Sequence, residues 1–511
     1  MTSLTNRVHT VSLDKPSLGN NTADADRLSN ALKKKCNAEN IFLPHHILKI
    51  LPDRLRAWNF NLKCVLAEDR DRLVLSGIYP LNHIPIGAAI DLGTTRVVIR
   101  LLDIESGNHL CETAVNNPQI AIGPDVLTRI HHCERPGGLR EMNRLVVDAI
   151  NQEVTGLAAS RGLDVDAISL YSLAGNTAMT HLFLGLNPQW IIREPYIPVV
   201  NRPGVISAED IGLVGQSAAQ AIIFPNIGSY FGGDLISGIL YAGMHKAADV
   251  RIMVDVGTNA EVVLGNADWM IACAGAAGPA LESGVAKMGM MAAPGVIDTV
   301  KIDPESRVFH LGTIENKKPI GICGSGVIDL AAQLFKAGML DIRGKLVPDK
   351  LGNRYELRNG LPTLIVLHAE DNGGIELSLS QADIDSLIRS KAAMYTILEV
   401  IVTQTSGLAF EDLTAFYVAG TFGSFINPES AIAIGMLPDL PRALFQVLGN
   451  SSLGGAALLL CDPSAFDRVM AIRETITYIE LNVNQGFMNL FSGAKFYPHT
   501  DRSRFPSVPL P

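Results

Sequence analysis

The chain has 511 residues, of which 47% are apolar and only 18% are charged, a balance that permits large buried cores. The formal net charge of −9 and the lack of a long Lys/Arg run exclude an extended nucleic-acid-binding surface. The polar N-terminus predicts no signal peptide, and Pro225 and Asp234 interrupt the most apolar stretch, so no membrane span is predicted. We therefore expect a cytoplasmic protein without nucleic-acid or membrane partners.

The first 85 residues predict a small module. Residues 1–26 are expected to form an extended linker, and residues 27–85 a small α+β domain that ends near Pro85. Its apolar spacing predicts helices over 27–35 and 41–54 and strands over 62–66 and 73–75.

The strongest local signal is an acidic Gly-Thr turn between two apolar strands, which occurs twice. The two turns are Asp91-Leu92-Gly93-Thr94-Thr95 and Asp255-Val256-Gly257-Thr258-Asn259, and Glu261 begins the strand that leaves the second. Small residues let a phosphate approach backbone N–H groups, and an Asp at such a turn is expected to act on hydrated Mg²⁺. The pair predicts a duplicated domain that holds one nucleotide from both sides, with two unrelated hairpins as the alternative.

The first large domain is predicted over 87–248. A β-meander over 88–115, helices over 125–132 and 139–159, and a strand over 167–174 follow one another in the order of a ribonuclease-H-like fold. Asp234 comes directly after Gly232-Gly233, near a predicted helix start. It is expected either to orient water or Mg²⁺, or to cap the helix.

The second large domain is predicted over 249–498. The Gly/Ala-rich loop that contains Ala274–Gly284 is expected to lie against a ligand or a partner, with a rigid, tightly packed loop as the alternative. Two further glycine-rich turns are suited to a phosphate or nucleoside: Gly324-Ser325-Gly326 at a helix start and Gly420-Thr421-Phe422-Gly423 after a buried strand. The tail over 499–511 is predicted to be disordered.

In this order the motifs are similar to those of the ASKHA superfamily, which includes acetate kinase, sugar kinases, heat-shock chaperones and actin. The resemblance implies an α/β protein with duplicated ribonuclease-H-like, actin-like ATPase domains that hold ATP·Mg²⁺, preceded by the small α+β module. The candidate catalytic residues are Asp91, Asp234, Asp255 and Glu261, and Asp91 and Asp255 are expected to bind Mg²⁺ through water. The candidate nucleotide contacts are Gly93, Thr94, Thr95, Gly257, Thr258, Asn259, Gly324, Ser325, Gly326, Gly420, Thr421 and Gly423.

Longer strings resemble the reductive activators of corrinoid proteins, from about residue 13 to about residue 496. These strings are Ala89-Ile90-Asp91-Leu92-Gly93-Thr94-Thr95, Gly175-Asn176-Thr177-Ala178-Met179-Thr180-His181-Leu182, Asp255-Val256-Gly257-Thr258-Asn259-Ala260-Glu261, Ala292-Ala293-Pro294-Gly295, Gly321-Ile322-Cys323-Gly324-Ser325-Gly326 and Ala419-Gly420-Thr421-Phe422-Gly423. The resemblance implies ATP-dependent reduction of Co(II) to Co(I) on a corrinoid partner that serves a methyltransferase. A homodimer is left open.

The sequence departs from that family in its cysteines. Family members usually carry an iron–sulfur domain, whereas the seven cysteines here are scattered and form no Cys-x-x-Cys pair. We expect no iron–sulfur cluster in this chain and a separate ferredoxin-like electron donor. Two alternatives remain: a non-redox ATP-dependent binder or chaperone of a corrinoid protein, and a small-molecule kinase of the same superfamily.

Overall fold

The structure, a computed structural model, describes residues 4–69, 72–256, 260–275, 286–303, 305–420, 426–479 and 487–509. The chain forms two compact units. The first comprises Met1–His245 and Asn450–Thr475, and the second comprises Lys246–Gly449 and Ile476–Pro511. Within the described ranges, no helix combines the length and the apolar character needed to cross a lipid bilayer.

The N-terminal module is a four-stranded sheet covered by two helices. Its strands, in the spatial order β1-β3-β4-β2, are β1 (Val8–Ser12), β2 (Ile41–Phe42), β3 (Asn61–Asp69) and β4 (Arg72–Tyr79), and its helices are α1 (Asp24–Cys36) and α2 (His45–Ala57). Leu28 and Leu32, and likewise Leu51 and Leu55, are buried because positions four residues apart share one face of a helix. Within the predicted extended linker over 1–26, residues Val8–Ser12 form β1, which pairs antiparallel with β3 and so joins the sheet of the module.

A six-stranded sheet forms the centre of the first unit. Its strands, in the spatial order β7-β6-β5-β8-β10-β9, are β5 (Ile86–Leu92), β6 (Arg96–Asp103), β7 (His109–Asn116), β8 (Ile168–Gly175), β9 (Gly204–Ser207) and β10 (Gln220–Ile223). Between the module and residue 245, the helices of this unit are α3 (Val126–His132), α4 (Gly138–Ser160), α5 (Thr177–Phe183) and α6 (Gly233–Ala242). Strands β5, β8 and β10 run parallel, so their carboxyl ends meet at one edge of the sheet.

The two faces of this sheet are covered by different helices. Side chains alternate along β5, so Ala88, Ile90 and Leu92 share a core with α4, while Gly87 and Asp91 point to the other face. That second face is covered by α11 (Ser451–Cys461), which is followed by α12 (Ala465–Thr475). Residues 450–475 thus pack in the first unit, although the division made from the sequence places them in the second domain.

The second unit repeats the topology of the first. Its six-stranded sheet, in the spatial order β21-β20-β11-β12-β13-β22, is built from β11 (Arg251–Val256), β12 (Ala260–Gly265), β13 (Met270–Gly275), β20 (Ala415–Ala419), β21 (Phe445–Gly449) and β22 (Ile476–Tyr478). As in the first unit, an antiparallel meander of three strands is extended by two strands that run parallel to its first strand. This repetition agrees with the predicted α/β architecture of duplicated domains.

Smaller elements complete the second unit. One three-stranded sheet is built from β14 (Val296–Ile302), β15 (Phe309–Thr313) and β16 (Gly321–Ile322). A second is built from β17 (Tyr355–Arg358), β18 (Leu361–Leu367) and β19 (Leu377–Ser380). The helices are α7 (Gly324–Lys336), α8 (Pro348–Leu351), α9 (Gln381–Glu399), α10 (Pro428–Ala433) and α13 (Phe487–Ala494). Helix α9 continues into a π-helical turn over Val400–Thr405.

The predicted disorder over 499–511 is wrong for its described part, which ends at residue 509. Phe505 is only 1% exposed and packs against Tyr395 of α9, with 5.4 Å between the ring centroids. The buried Lys391 donates hydrogen bonds to the carbonyl oxygens of Phe496 and Pro498. Buried aromatic and basic anchors thus outweigh the proline-rich composition on which the prediction rested.

We predict that Phe505→Ala destabilises the second unit by about 3–5 kcal/mol, because truncation of a buried phenylalanine loses transfer free energy and leaves a cavity. Thermal unfolding and limited proteolysis of the C-terminus measure the effect. Leu357→Ala is the matched control, since Leu357 is 64% exposed and its removal should change stability by no more than about 0.5 kcal/mol. Equal stability of the two variants would show that the C-terminal segment contributes nothing to the core.

Candidate functional site

Three backbone turns converge at the carboxyl edge of the sheet in the first unit. A β-carbon added at Gly93 would lie 2.5 Å from the Arg96 carbonyl oxygen, and one added at Gly175 would lie 2.9 Å from the Leu92 carbonyl oxygen. At Gly232, just before α6, it would lie 2.4 Å from the Asn176 Cα. Because no real β-carbon fits at such distances, all three positions require glycine, and the turns form a cradle without side chains.

Side chains from neighbouring segments hold the first turn. Asn117 Nδ2 donates to the Gly93 carbonyl oxygen at 2.9 Å, and Arg129 Nη2 donates to the Thr94 carbonyl oxygen at 2.7 Å. Asn176 Nδ2 donates to Thr94 Oγ1 at 3.0 Å, while its Oδ1 caps α5 by accepting from the Met179 N–H. Three side chains from other segments therefore anchor the turn.

Arg129 and Asn117 are functional candidates that the sequence interpretation missed. Both are buried, and Arg129 also donates to Gln119 Oε1 and to the Gly123 carbonyl oxygen. Burial lowers the pKa of Arg129 to about 10, so the guanidinium stays charged at neutral pH and adds positive potential beside the turn. The sequence carries no signal for either role, because the contacts join segments that are far apart along the chain.

Asp91 lies on β5 just before the turn, on the face covered by α11. Its Oδ1 accepts a hydrogen bond from Ser452 Oγ and its Oδ2 accepts one from Asn450 Nδ2, each at 2.8 Å. Burial raises the pKa of Asp91, and the two donors oppose that rise because they favour the carboxylate. The sequence interpretation identified the carboxylate but not these two partners.

Asp234 is brought to the same edge. It is the second residue of α6, so Gly232 rather than Asp234 occupies the N-cap position. Its Oδ1 would lie 2.5 Å from a β-carbon on Gly232, which places the carboxylate beside the cradle. A carboxylate in the first turn of a helix is favoured by the helix dipole.

The second unit brings three of its candidates to one sheet edge. Asp255 on β11 is paired with Glu261 on β12, and directly opposed residues of an antiparallel pair share one face. On its other side Asp255 is paired with Ala419, the last residue of β20, which Gly420 follows with a φ of 86°. The other candidates of these turns, Gly257, Thr258, Asn259, Thr421 and Gly423, lie outside the described residues, as does most of the loop over 274–284.

The Gly-Ser-Gly turn has a packing role in the structure. Gly324, Ser325 and Gly326 form the buried first turn of α7. A β-carbon on Gly326 would lie 2.4 Å from the Ile297 carbonyl oxygen, so this glycine is needed for close packing on β14. Ser325 Oγ lies 3.2 Å from Cys323 Sγ.

The first unit's edge fits a nucleotide phosphate with hydrated Mg²⁺. It offers a cradle that excludes β-carbons, the Thr94 hydroxyl and the carboxylates of Asp91 and Asp234. Among the described residues there is no group of three or more His, Cys, Asp or Glu side chains that could hold a metal ion directly. Mg²⁺ in nucleotide sites typically keeps several waters and few protein ligands, which is the mode this donor set suits.

Known protein families account for nearly the whole chain. The RACo linker region matches residues 4–83, the RACo middle region matches 86–247, and the C-terminal domain of RACo, the ASKHA domain, matches 249–509. The chain belongs to the RACo family. This membership confirms both the resemblance to reductive activators of corrinoid proteins and the ASKHA-type α/β fold.

Individual proteins that are named for corrinoid activation or reduction resemble the chain over most of its length. The corrinoid activation enzyme RamQ of Eubacterium limosum is 29% identical over 440 residues, which cover 83% of this chain and 73% of that protein. The [Co(II) methylated amine-specific corrinoid protein] reductase of Methanosarcina barkeri is 23% identical over 441 residues, covering 79% and 76%. The solved structure of a reductive activator for corrinoid, iron-sulfur protein has a TM-score of 0.89 and 34% identity, covering 99% of this chain and 81% of that one.

We predict that Gly232→Ala weakens ATP binding about 10-fold or more, because the added methyl group must displace the backbone of Asn176 or the start of α6. Isothermal titration calorimetry with ATP and Mg²⁺ measures the change. Gly156→Ala is the matched control, since in the part of the chain that the structure describes no atom lies within 4 Å of a β-carbon added to this exposed helical glycine. That substitution should leave binding unchanged and stabilise the helix slightly. Wild-type affinity in Gly232→Ala would contradict the assignment of this edge to the nucleotide.

Proposed function

We propose that this protein activates a corrinoid protein reductively, returning its cobalt from Co(II) to Co(I) at the expense of ATP. The observation that supports the proposal most is the combination of RACo-family membership over nearly the whole chain with glycine turns that converge beside Asp91. The corrinoid protein is the partner and its cobalt is the substrate. Relatives named as corrinoid activators support this choice of partner.

The chain's residues take the following roles in the proposal. The Gly93–Thr95 turn, with its counterpart Gly257–Asn259, binds phosphate through backbone N–H groups and threonine hydroxyls. Asp91 and Asp255 hold water molecules of the metal, and Asp234 and Glu261 orient the attacking water. Mg²⁺, when bound, neutralises phosphate charge. Contacts to the nucleoside come from Gly420, Thr421 and Gly423, whereas the buried Gly324, Ser325 and Gly326 support the proposal only through the packing of α7.

The electron comes from a separate ferredoxin-like donor in this proposal. One electron converts Co(II) to Co(I), and each tenfold of bias in a one-electron equilibrium corresponds to about 59 mV. A gap of several hundred millivolts between the reduction potentials of the donor and of the cobalt therefore makes the electron-transfer equilibrium unfavourable by many powers of ten. We assign the compensating free energy to an ATP-driven change in the complex with the corrinoid protein. The proposal of an external donor rests on the sequence, in which the seven cysteines are scattered and form no Cys-x-x-Cys pair.

A second candidate function is a non-redox ATP-dependent binder of a corrinoid protein. The scattered spacing of the cysteines favours it, because that spacing predicts no redox centre in this chain. The two candidates differ in whether cobalt changes its oxidation state. A small-molecule kinase has no specific observation in its favour.

The decisive experiment combines the pure protein anaerobically with ATP, Mg²⁺, a Co(II) corrinoid protein and reduced ferredoxin. We expect the Co(I) absorption band to appear, and to fail when either ATP or ferredoxin is left out. The preparation should contain neither stoichiometric iron nor acid-labile sulfide. ATP-dependent complex formation without any change in the cobalt spectrum would support the non-redox binder instead.

We predict that Asp255→Asn lowers ATP turnover by roughly 10²-fold or more, because it removes a charge near Mg²⁺ while keeping the side-chain shape. Phosphate release under saturating ATP and Mg²⁺ is the measurement. Asp268→Asn makes the same charge change at an exposed position between β12 and β13 and should leave turnover unchanged. A folded Asp255→Asn protein with normal turnover would show that the second hairpin is only structural.

A further inference from the structure

The carboxylate of Asp91 is held by two side chains from one helix start. Ser452 Oγ donates to Oδ1 and Asn450 Nδ2 donates to Oδ2, both at 2.8 Å. Each carboxylate oxygen has two acceptor sites, so one site on each oxygen stays available for a further donor such as a water molecule. The two hydrogen bonds therefore set the direction of the carboxylate without saturating it.

The amide of Asn450 has two tasks. Its Oδ1 accepts a hydrogen bond from the Leu453 N–H at 2.8 Å and thereby caps α11, while its Nδ2 points to Asp91. The capping contact requires the oxygen on one side, so the nitrogen is left facing the carboxylate. The contact with Asp91 is thus built into the cap geometry.

The position of α11 is itself tightly defined. A β-carbon on Gly455 would lie 2.1 Å from the Ser237 carbonyl oxygen, and one on Gly454 would lie 2.5 Å from Tyr241 Cδ2, so the helix packs on α6 at backbone distance. Ser237 Oγ donates to the Ser452 carbonyl oxygen at 2.6 Å. A helix fixed in this way is a rigid support for the two donors.

We infer that Asn450 and Ser452 are positioning residues that aim the Asp91 carboxylate at the metal-bound water of ATP·Mg²⁺. This inference rests on the proposed binding of ATP·Mg²⁺ and adds to it two residues from a helix more than 350 positions along the chain from the phosphate turn. A purely structural role would instead confine the two residues to capping and packing α11.

A double-mutant cycle separates the two roles. Calorimetry measures the binding of a non-hydrolysable ATP analogue with and without Mg²⁺, and thermal unfolding of the free protein is recorded for every variant. We expect Ser452→Ala to leave binding without Mg²⁺ unchanged and to reduce the gain in affinity that Mg²⁺ provides by about tenfold, as loss of one charge-assisted hydrogen bond would. In an Asp91→Asn background the same substitution should have no further effect, because it acts through Asp91.

Two matched variants complete the design. Asn450→Ser keeps a residue that caps helices well but cannot reach Asp91 with an amide nitrogen, so it should reproduce Ser452→Ala. Ser451→Ala is the control, because Ser451 is buried beside them and its hydroxyl has no hydrogen-bond partner among the described residues. It should leave both the Mg²⁺ effect and the thermal stability as in the wild type.

The outcomes are distinct. Additive effects of Ser452→Ala and Asp91→Asn, or a loss of thermal stability with an intact Mg²⁺ effect, would overturn the inference while the proposed function stands. Failure of the wild type to bind the analogue with Mg²⁺ would overturn both. A non-additive cycle in a protein that does not change the cobalt spectrum would support the inference and reject the reductive function.

Discussion

The candidate site depends on backbone segments that approach one another more closely than a β-carbon allows. Gly93, Gly175 and Gly232 permit this approach at the ends of β5 and β8 and at the start of α6. At these three positions backbone takes the place of side chains, so the turns leave no room for a β-carbon. The same proximity lets Asn176, which caps α5, also reach the Thr94 hydroxyl.

Burial and hydrogen bonding act in opposite directions on the charge at this edge. Asp91 lies in a buried environment that disfavours a carboxylate, and donors from α11 offset part of that cost. Arg129 is a buried cation that donates to three oxygen acceptors on the other side of the turn. Both side chains are thus oriented by hydrogen bonds within the protein, and groups oriented in advance would need little reorganisation in the proposed binding of phosphate and metal.

Local sequence was sufficient where a single segment determines the structure. The acidic turn of residues 91–95 occupies its predicted hairpin, and the helical spacing over 139–159 corresponds to α4. Where contacts join distant segments the sequence was insufficient. Nothing in the sequence near residue 450 indicates that this residue contacts Asp91. The short strand β1 lies in a polar stretch of sequence, and its conformation is decided by pairing with the distant strand β3. The proline-rich composition of the C-terminus led to a wrong prediction of disorder. The segment is ordered because Phe505 is buried and because Lys391 donates hydrogen bonds to its backbone, and composition shows neither contact.

The assignment of α11 to the first unit has a consequence for synthesis. The face of the sheet that carries Gly87 and Asp91 is covered by a helix that follows the main part of the second unit in the chain. The ribosome adds roughly 200 residues between His245 and Asn450, which at about 5–20 residues per second takes on the order of 10–40 s. During that interval the nascent first unit lacks this cover. The first unit therefore begins to leave the ribosome first, but it can complete its folding only after most of the second unit has been translated.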